Sequence, residues 1–214
     1  MDVMALRSRR WSRTEYEQLV ERGSFGPDDH LELLDGLLIA REPQGSRHAA
    51  AVAAARLVLT AAFGPGYHVR DQAPIALDET SEPEPDLAVV RGAPWDYQHG
   101  HPSTPILVVE IADSRLALDR KGKGRLYARA GLADYWIVNL MDEVLEVLRD
   151  PGRSPSPGRG FTYRSVRILS REESISPIGA PRARVSASAL LPPRYGSLAG
   201  ETSSLACRRY RGNP

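Results

Sequence analysis

The chain has 214 residues, 42% of them hydrophobic and 26% charged. Those values exclude collagen-like, coiled-coil and wholly disordered chains, and the length suits one or two domains with a substantial core. The net charge of +1 hides an asymmetry: residues 1–150 carry 17 basic against 24 acidic side chains, and residues 151–214 carry 11 against 3. An acidic body with a basic end fits a nucleic-acid partner, although charge alone favours the plainer reading of a solvated tail. The single cysteine, Cys207, cannot form an internal disulfide and points to a reducing compartment. The N-terminus has no apolar run of signal-peptide length, and no stretch approaches the roughly 20 apolar residues of a membrane span. A cytoplasmic protein without membrane association is expected.

Thr14-Glu15-Tyr16-Glu17 has the spacing of a capping box, opening a short helix that should stop at Gly23. Asp35-Gly36 joins His30–Asp35 to the apolar run Leu37–Ala40, a hairpin signal. The alanine-rich segment Ser46–Phe63, closed by Gly64-Pro65, predicts a helix. Tyr67–Asp78 and Asp86–Arg91 read as strands around the acidic loop Glu79–Pro85. Gly92–Pro105 reads as a long loop carrying Trp95, Tyr97, His99 and His101. Ile106–Ile111 and Tyr135–Leu140 are nearly continuous apolar runs, the pattern of central strands covered on both faces. Between them Leu118–Ala130 is helical and ends at Gly131. Val144–Arg149 should return as a hairpin, Pro151–Gly160 as a loop and Phe161–Leu169 as a further strand. Apolar periodicity stops near Leu191. The expectation is one α/β domain over 11–191 and a basic, disordered tail over 192–214.

Two carboxylates interrupt the strand patterns. Asp86 introduces Leu87-Ala88-Val89-Val90, and Glu110 lies within Val108-Val109-Glu110-Ile111. An ionised carboxylate in a core strand is costly unless it is paired or binds a metal. If the strands are neighbours, both converge on one face and suit Mg²⁺ or Mn²⁺; otherwise each pairs with a strand-end arginine. Only two of the 28 basic residues are lysines, Lys121 and Lys123. A lysine kept against that bias suits a role needing a compact ammonium. On the predicted helix Lys123 shares a face with Leu126, Tyr127 and Ala130, the stripe that packs on a sheet, whereas Lys121 points to water. Asp86, Glu110 and Lys123 together form a set able to bind a metal and orient water on a phosphate. Glu32, in Leu31-Glu32-Leu33-Leu34-Asp35-Gly36, is a fourth member or a rim residue balancing an arginine. His48, at the start of the alanine-rich helix, is either a helix-end residue or a contact to phosphate or the acidic group.

Leu31–Gly36, Glu84-Pro85-Asp86-Leu87-Ala88-Val89-Val90, Val108–Ile111, Lys123, Leu126–Gly131 and Asp134–Leu140 occur in that order. The series resembles the Uma-type restriction endonucleases of the PD-(D/E)XK nuclease superfamily over about residues 11–191. The resemblance implies a restriction endonuclease-like core: a mixed β-sheet flanked by helices, with an N-terminal helix and hairpin. It implies Asp86 and Glu110 as metal ligands, Lys123 as the catalytic lysine moved onto the following helix, and Glu32 as an additional acidic residue. The superfamily motif would place lysine two residues after the glutamate, where this chain has Ala112. Asn139 stands where the family usually has aspartate.

The function expected is Mg²⁺-dependent (or Mn²⁺-dependent) hydrolysis of DNA phosphodiester bonds, with a homodimer as one possible assembly. The alternatives are a non-cleaving nucleic-acid-binding protein on the same scaffold, or a protein-interaction module for which Trp95 and Tyr97 are the hint.

Overall fold

The computed structural model describes residues 9–26, 29–41, 43–156 and 160–194. Helix α1 (Arg13–Glu21) starts earlier than expected, because Ser12–Glu15 has the same box spacing as Thr14–Glu17. The Ser12 hydroxyl accepts from the Glu15 amide at 3.2 Å, and the Glu15 carboxylate accepts from the Ser12 amide at 2.9 Å. The Arg13 amide, left without a partner inside the helix, donates to the Glu79 carbonyl at 2.7 Å. Strands β1 (Leu31–Leu34) and β2 (Leu37–Ala40) form the expected hairpin. Asp35 and Gly36 both have positive φ, 51° and 74°, the pair of values a two-residue turn of this hand requires. The Gly36 amide bonds the Thr80 carbonyl at 2.7 Å and Leu33 pairs with Glu82, so the hairpin leans on the acidic loop.

Helix α2 (Ser46–Phe63) matches its prediction and is followed by β3 (Tyr67–Asp71) and β4 (Leu87–Arg91). The strand expected to reach Asp78 stops at Asp71, where Gln72 takes a positive φ of 48° and breaks the extended run. Strand β5 (Leu107–Ala112) leads to a π-helical turn (Leu118–Lys123) that runs into α3 (Gly124–Arg129). Then come β6 (Asp134–Asn139), β7 (Val144–Arg153) and β8 (Phe161–Leu169). Strand β7 runs through Pro151, expected in a loop. Its Pro151, Gly152 and Arg153 pair with Tyr163, Thr162 and Phe161 on the adjacent strand. The short strands β9 (Ser174–Ile175) and β10 (Val185–Ser186) form a separate pair.

Strands β3 to β8 form one sheet in sequence order. Every pairing is antiparallel except β5–β6, whose parallel alignment demands a crossover long enough to hold a helix. That crossover carries the π turn and α3. On one face α2 packs Ala55, Leu59 and Phe63 against Leu87, Val89, Val109 and Trp136. On the other, α3 packs Leu126 and Tyr127 against Ala88, Val108, Tyr135 and Ile137. The strands β4, β5 and β6 are therefore covered on both sides, as their nearly continuous apolar sequences required. No helix among the described residues is long and apolar enough to cross a membrane.

Asp134, fully buried, ties the end of this sheet to the C-terminal segment. It accepts from Trp136 Nε1 at 2.8 Å, from Arg149 at 2.8 and 3.2 Å, and from the Ile178 amide at 2.8 Å. The expected tail over 192–214 lies outside the described residues from 195 onward, as does Cys207. Pro192 and Arg194 are engaged: Arg171 donates to the Pro192 carbonyl at 2.7 Å, and Arg194 Nε lies 3.3 Å from Glu143. Asp134→Ala leaves Arg149 and the indole N–H without their buried acceptor. It should lower unfolding stability by about 3–5 kcal/mol in urea titrations, whereas Arg164→Ala, at an exposed pair with Asp150, should change it by less than about 1 kcal/mol.

Candidate active site

The antiparallel register of β4 and β5 aligns Leu87 with Val109, so one step further Asp86 stands opposite Glu110. Two carboxylates far apart in sequence meet for that reason. The Asp86 amide approaches Glu110 Oε2 at 3.4 Å, and the Ile111 amide donates to Asp86 Oδ2 at 2.8 Å. Glu110 faces the α3 side, where the Tyr127 hydroxyl donates to Glu110 Oε1 at 2.9 Å. Lys123, 5% exposed, closes the group with its Nζ 3.1 Å from Glu110 Oε1 and 3.2 Å from Glu32 Oε2. Glu32 arrives from the hairpin, and its Oε2 also accepts from the Glu84 amide at 3.1 Å. Lys121, two residues away on the same turn, is exposed, as helical periodicity predicts. Ala130, placed by that periodicity on the inward stripe, is exposed because α3 ends at Arg129.

All four expected site residues therefore come together in one cleft of about 210 Å³. His48, from the first turn of α2, joins them with Nε2 3.1 Å from Asp86 Oδ2. Sequence reasoning missed Asp119, which is buried and lines the same cleft. Its position four residues before Lys123 was the available signal. Trp95 and Tyr97 lie on the turn Pro94–Tyr97, beyond the end of β4 remote from Asp86. They, His99 and His101 do not line the cleft. Asn139 is fully occupied by the β6–β7 connection: it donates to Asp142 and Glu146 and accepts from the Met141 and Asp142 amides. An aspartate there would set three carboxylates against one another.

Burial and mutual repulsion dominate the electrostatics. Burial raises the Glu110 carboxyl to about 8 against the pull of Lys123, and Asp119 and Asp86 push it the same way. Burial likewise raises Asp119 to about 6. For Asp86 burial is outweighed by the His48 hydrogen bond and charge and by the Ile111 amide, and its carboxyl is held below the usual range. Burial alone would depress Lys123, but Glu110, Glu32, Asp119 and Asp86 outweigh it and hold the ammonium above its ordinary value. Burial depresses His48, but Asp86, Asp113 and the Ile111 backbone together outweigh it and raise the imidazole above its ordinary value. Among the described residues lining the cleft, five carboxylates (Glu32, Asp86, Glu110, Asp113 and Asp119) thus face Lys123, Arg41, Arg115 and His48.

Hard oxygen donors in excess of fixed positive charge are the chemistry a hydrated divalent cation suits. Among the described residues no group of three or more His, Cys, Asp or Glu side chains is arranged as a complete metal cage. A cation here would rest on one or two carboxylates, as Mg²⁺ commonly does.

A six-stranded mixed sheet with a helix on each face and acidic residues at the β4–β5 boundary defines a restriction endonuclease-like nuclease fold. The family model "Uma2: Putative restriction endonuclease" matches residues 13–186, and the chain belongs to that family. Among solved structures it is similar to "a putative nuclease belonging to DUF820 from Anabaena variabilis ATCC 29413". The identity is 14% and the TM-score 0.62, over 84% of this chain and 96% of that one. That likeness shows the fold, and the family description supports nuclease as the general class of function. No curated protein matches the chain.

The raised Glu110 carboxyl gives a pH test. With its carboxyl raised by burial, the folded protein holds the Glu110 proton, from the ordinary glutamate value of 4.5 upward, more tightly than the unfolded chain does. Stability of the metal-free protein therefore falls as pH rises through that range. Glu110→Gln has no proton to retain. In EDTA its stability relative to the parent should improve by at least about 1 kcal/mol between pH 5 and pH 8 in urea melts. An unchanged difference would mean that Glu110 is ionised throughout.

Proposed function

We propose that the protein is a divalent-metal-dependent endonuclease that hydrolyses DNA phosphodiester bonds from a domain spanning about residues 11–191. The observation that carries this reading is the convergence of Asp86, Glu110 and Lys123, with Nζ 3.1 Å from Glu110 and the Asp86 amide 3.4 Å from the same carboxylate. Asp86 and Glu110 would hold Mg²⁺ or Mn²⁺, which supplies charge neutralisation at the scissile phosphate and acidifies water.

The chain's own residues do the positioning. The Ile111 amide and His48 fix Asp86, and the Tyr127 hydroxyl fixes Glu110. Lys123 forms ion pairs with Glu110 and Glu32, and its ammonium lines the cleft as an N–H donor. That donor can orient the attacking water or the phosphate oxygen it approaches. Glu32 keeps the ammonium charged and aimed. Arg41, paired with Glu84 at 2.7 Å, and Arg115, which donates to the Ala40 carbonyl, also line the cleft and would face a DNA backbone entering it. One such site cuts one strand, so a double-strand break calls for two copies, and a homodimer belongs to the proposal.

Conversion of supercoiled plasmid to nicked and linear forms, with MgCl₂, MnCl₂ or EDTA, tests this reading. Asp86→Asn should lower the Mg²⁺-dependent rate by on the order of 10²-fold or more, and Lys123→Arg should fail similarly because a planar guanidinium cannot occupy the ammonium's place. Lys121→Ala, on the exposed face, should change the rate little. Lys123→Ala also leaves Glu110 and Glu32 without their buried cation, so its melting temperature in EDTA should drop as well. Salt-sensitive DNA binding without cleavage by the parent would replace the endonuclease reading with a non-catalytic binding protein.

A further inference from the structure

We infer that Asp119 is a further anchor for the cation in this cleft, acting through the ion's water shell; this rests on the metal-dependent reading above. Asp119 is 6% exposed and lines the cleft; its carboxylate makes no hydrogen bond or ion pair among the described residues, and Lys123 and Arg115 act on it only through longer-range charge. Every other carboxylate of the group has such a partner: Glu32 and Glu110 hold Lys123, and Asp86 holds His48 and the Ile111 amide. The Asp119 oxygens are not among the buried, partnerless atoms, so they open onto the cleft, where water or a hydrated ion can complete them.

The backbone shows that this placement is built rather than incidental. Asp119 sits in the π-helical turn Leu118–Lys123, where the Gly124 amide reaches back to the Asp119 carbonyl. The same carbonyl accepts from the buried Tyr135 hydroxyl at 3.1 Å, so the residue is held from two elements. Gly124 permits the approach, since a Cβ there would lie 3.1 Å from that carbonyl. Single π turns within α-helices are frequent at functional sites because they redirect one side chain without breaking the helix. Here the turn delivers Asp119 and Lys123 to the same cleft.

The chemistry selects the mode of binding. Mg²⁺ is commonly held by one or two carboxylates, here Asp86 and Glu110, which leaves Asp119 to act on the ion's water shell. Mg²⁺ dehydrates reluctantly and keeps several waters, and those waters are hydrogen-bond donors for a carboxylate that faces them. Partners of this kind typically change metal affinity by about 10–100-fold when removed. Asp119 therefore favours a strongly hydrated ion.

Isothermal titration of the full chain with MgCl₂, together with apo melting curves, tests the assignment. The parent should bind Mg²⁺, and Asp119→Asn should weaken that affinity about 10–100-fold with an apo melting temperature equal or higher, because one repelling charge is gone. Asp119→Ser serves as a second variant should the amide disturb the turn, with the same expected loss. Mg²⁺ affinity equal to the parent's in a folded variant overturns the role of Asp119. A parent that binds no Mg²⁺ or Mn²⁺ overturns instead the metal-dependent reading beneath it.

Discussion

A buried ammonium needs anions around it, and the Lys123 ammonium draws in groups from across the chain. It sits on the crossover after β5 but reaches Glu110 on β5 and Glu32 on the distant hairpin. Isolated in the core, any one of these charges would be expelled or neutralised; together they are tolerated. The hairpin is consequently not an appendage. Glu32 must enter the cleft, and the Leu33–Glu82 pairing with the Gly36–Thr80 bond holds it there. Among the described residues lining the cleft, carboxylates outnumber Lys123, Arg41 and Arg115, so the cleft keeps an acidic character.

The same constraint explains the one parallel pairing in the sheet. An antiparallel return from β5 could have been a tight turn, with no helix to carry a lysine over the sheet face. The parallel β5–β6 alignment forces a crossover, and the crossover supplies Lys123, Asp119 and Tyr127 above Glu110. The β4–β5 antiparallel pair sets Asp86 opposite Glu110. One strand thus takes its partners from two kinds of pairing, and the cleft lies where they meet.

The basic excess of residues 151–214 has a largely structural use where the chain is described. Arg164 pairs with Asp150, while Arg171 contacts Glu143 and the Pro192 carbonyl. Arg153 lies over the Phe161 ring. Charge counted along the sequence suggested a nucleic-acid surface or a solvated tail, but part of it fastens the late strands to the acidic body.

The sequence by itself determined the local features. The alanine-rich helix, the Asp-Gly hairpin, the two central strands and the opposite facing of Lys121 and Lys123 all follow from periodicity and turn chemistry, which act over a few residues. It also marked Asp86, Glu110 and Glu32, because charges within apolar strands are conspicuous. Element ends were less legible: Ser12 displaced Thr14 as cap, and β7 ran on through Pro151, since tertiary hydrogen bonds choose between equivalent local options. Tertiary structure alone decided which side chains meet. Periodicity states which way a residue faces, but strand register set Asp86 against Glu110, packing of α2 brought His48 to Asp86, and a π turn turned Asp119 into the cleft. Each is a contact between segments far apart in sequence, and its energy depends on burial that no short window of sequence contains.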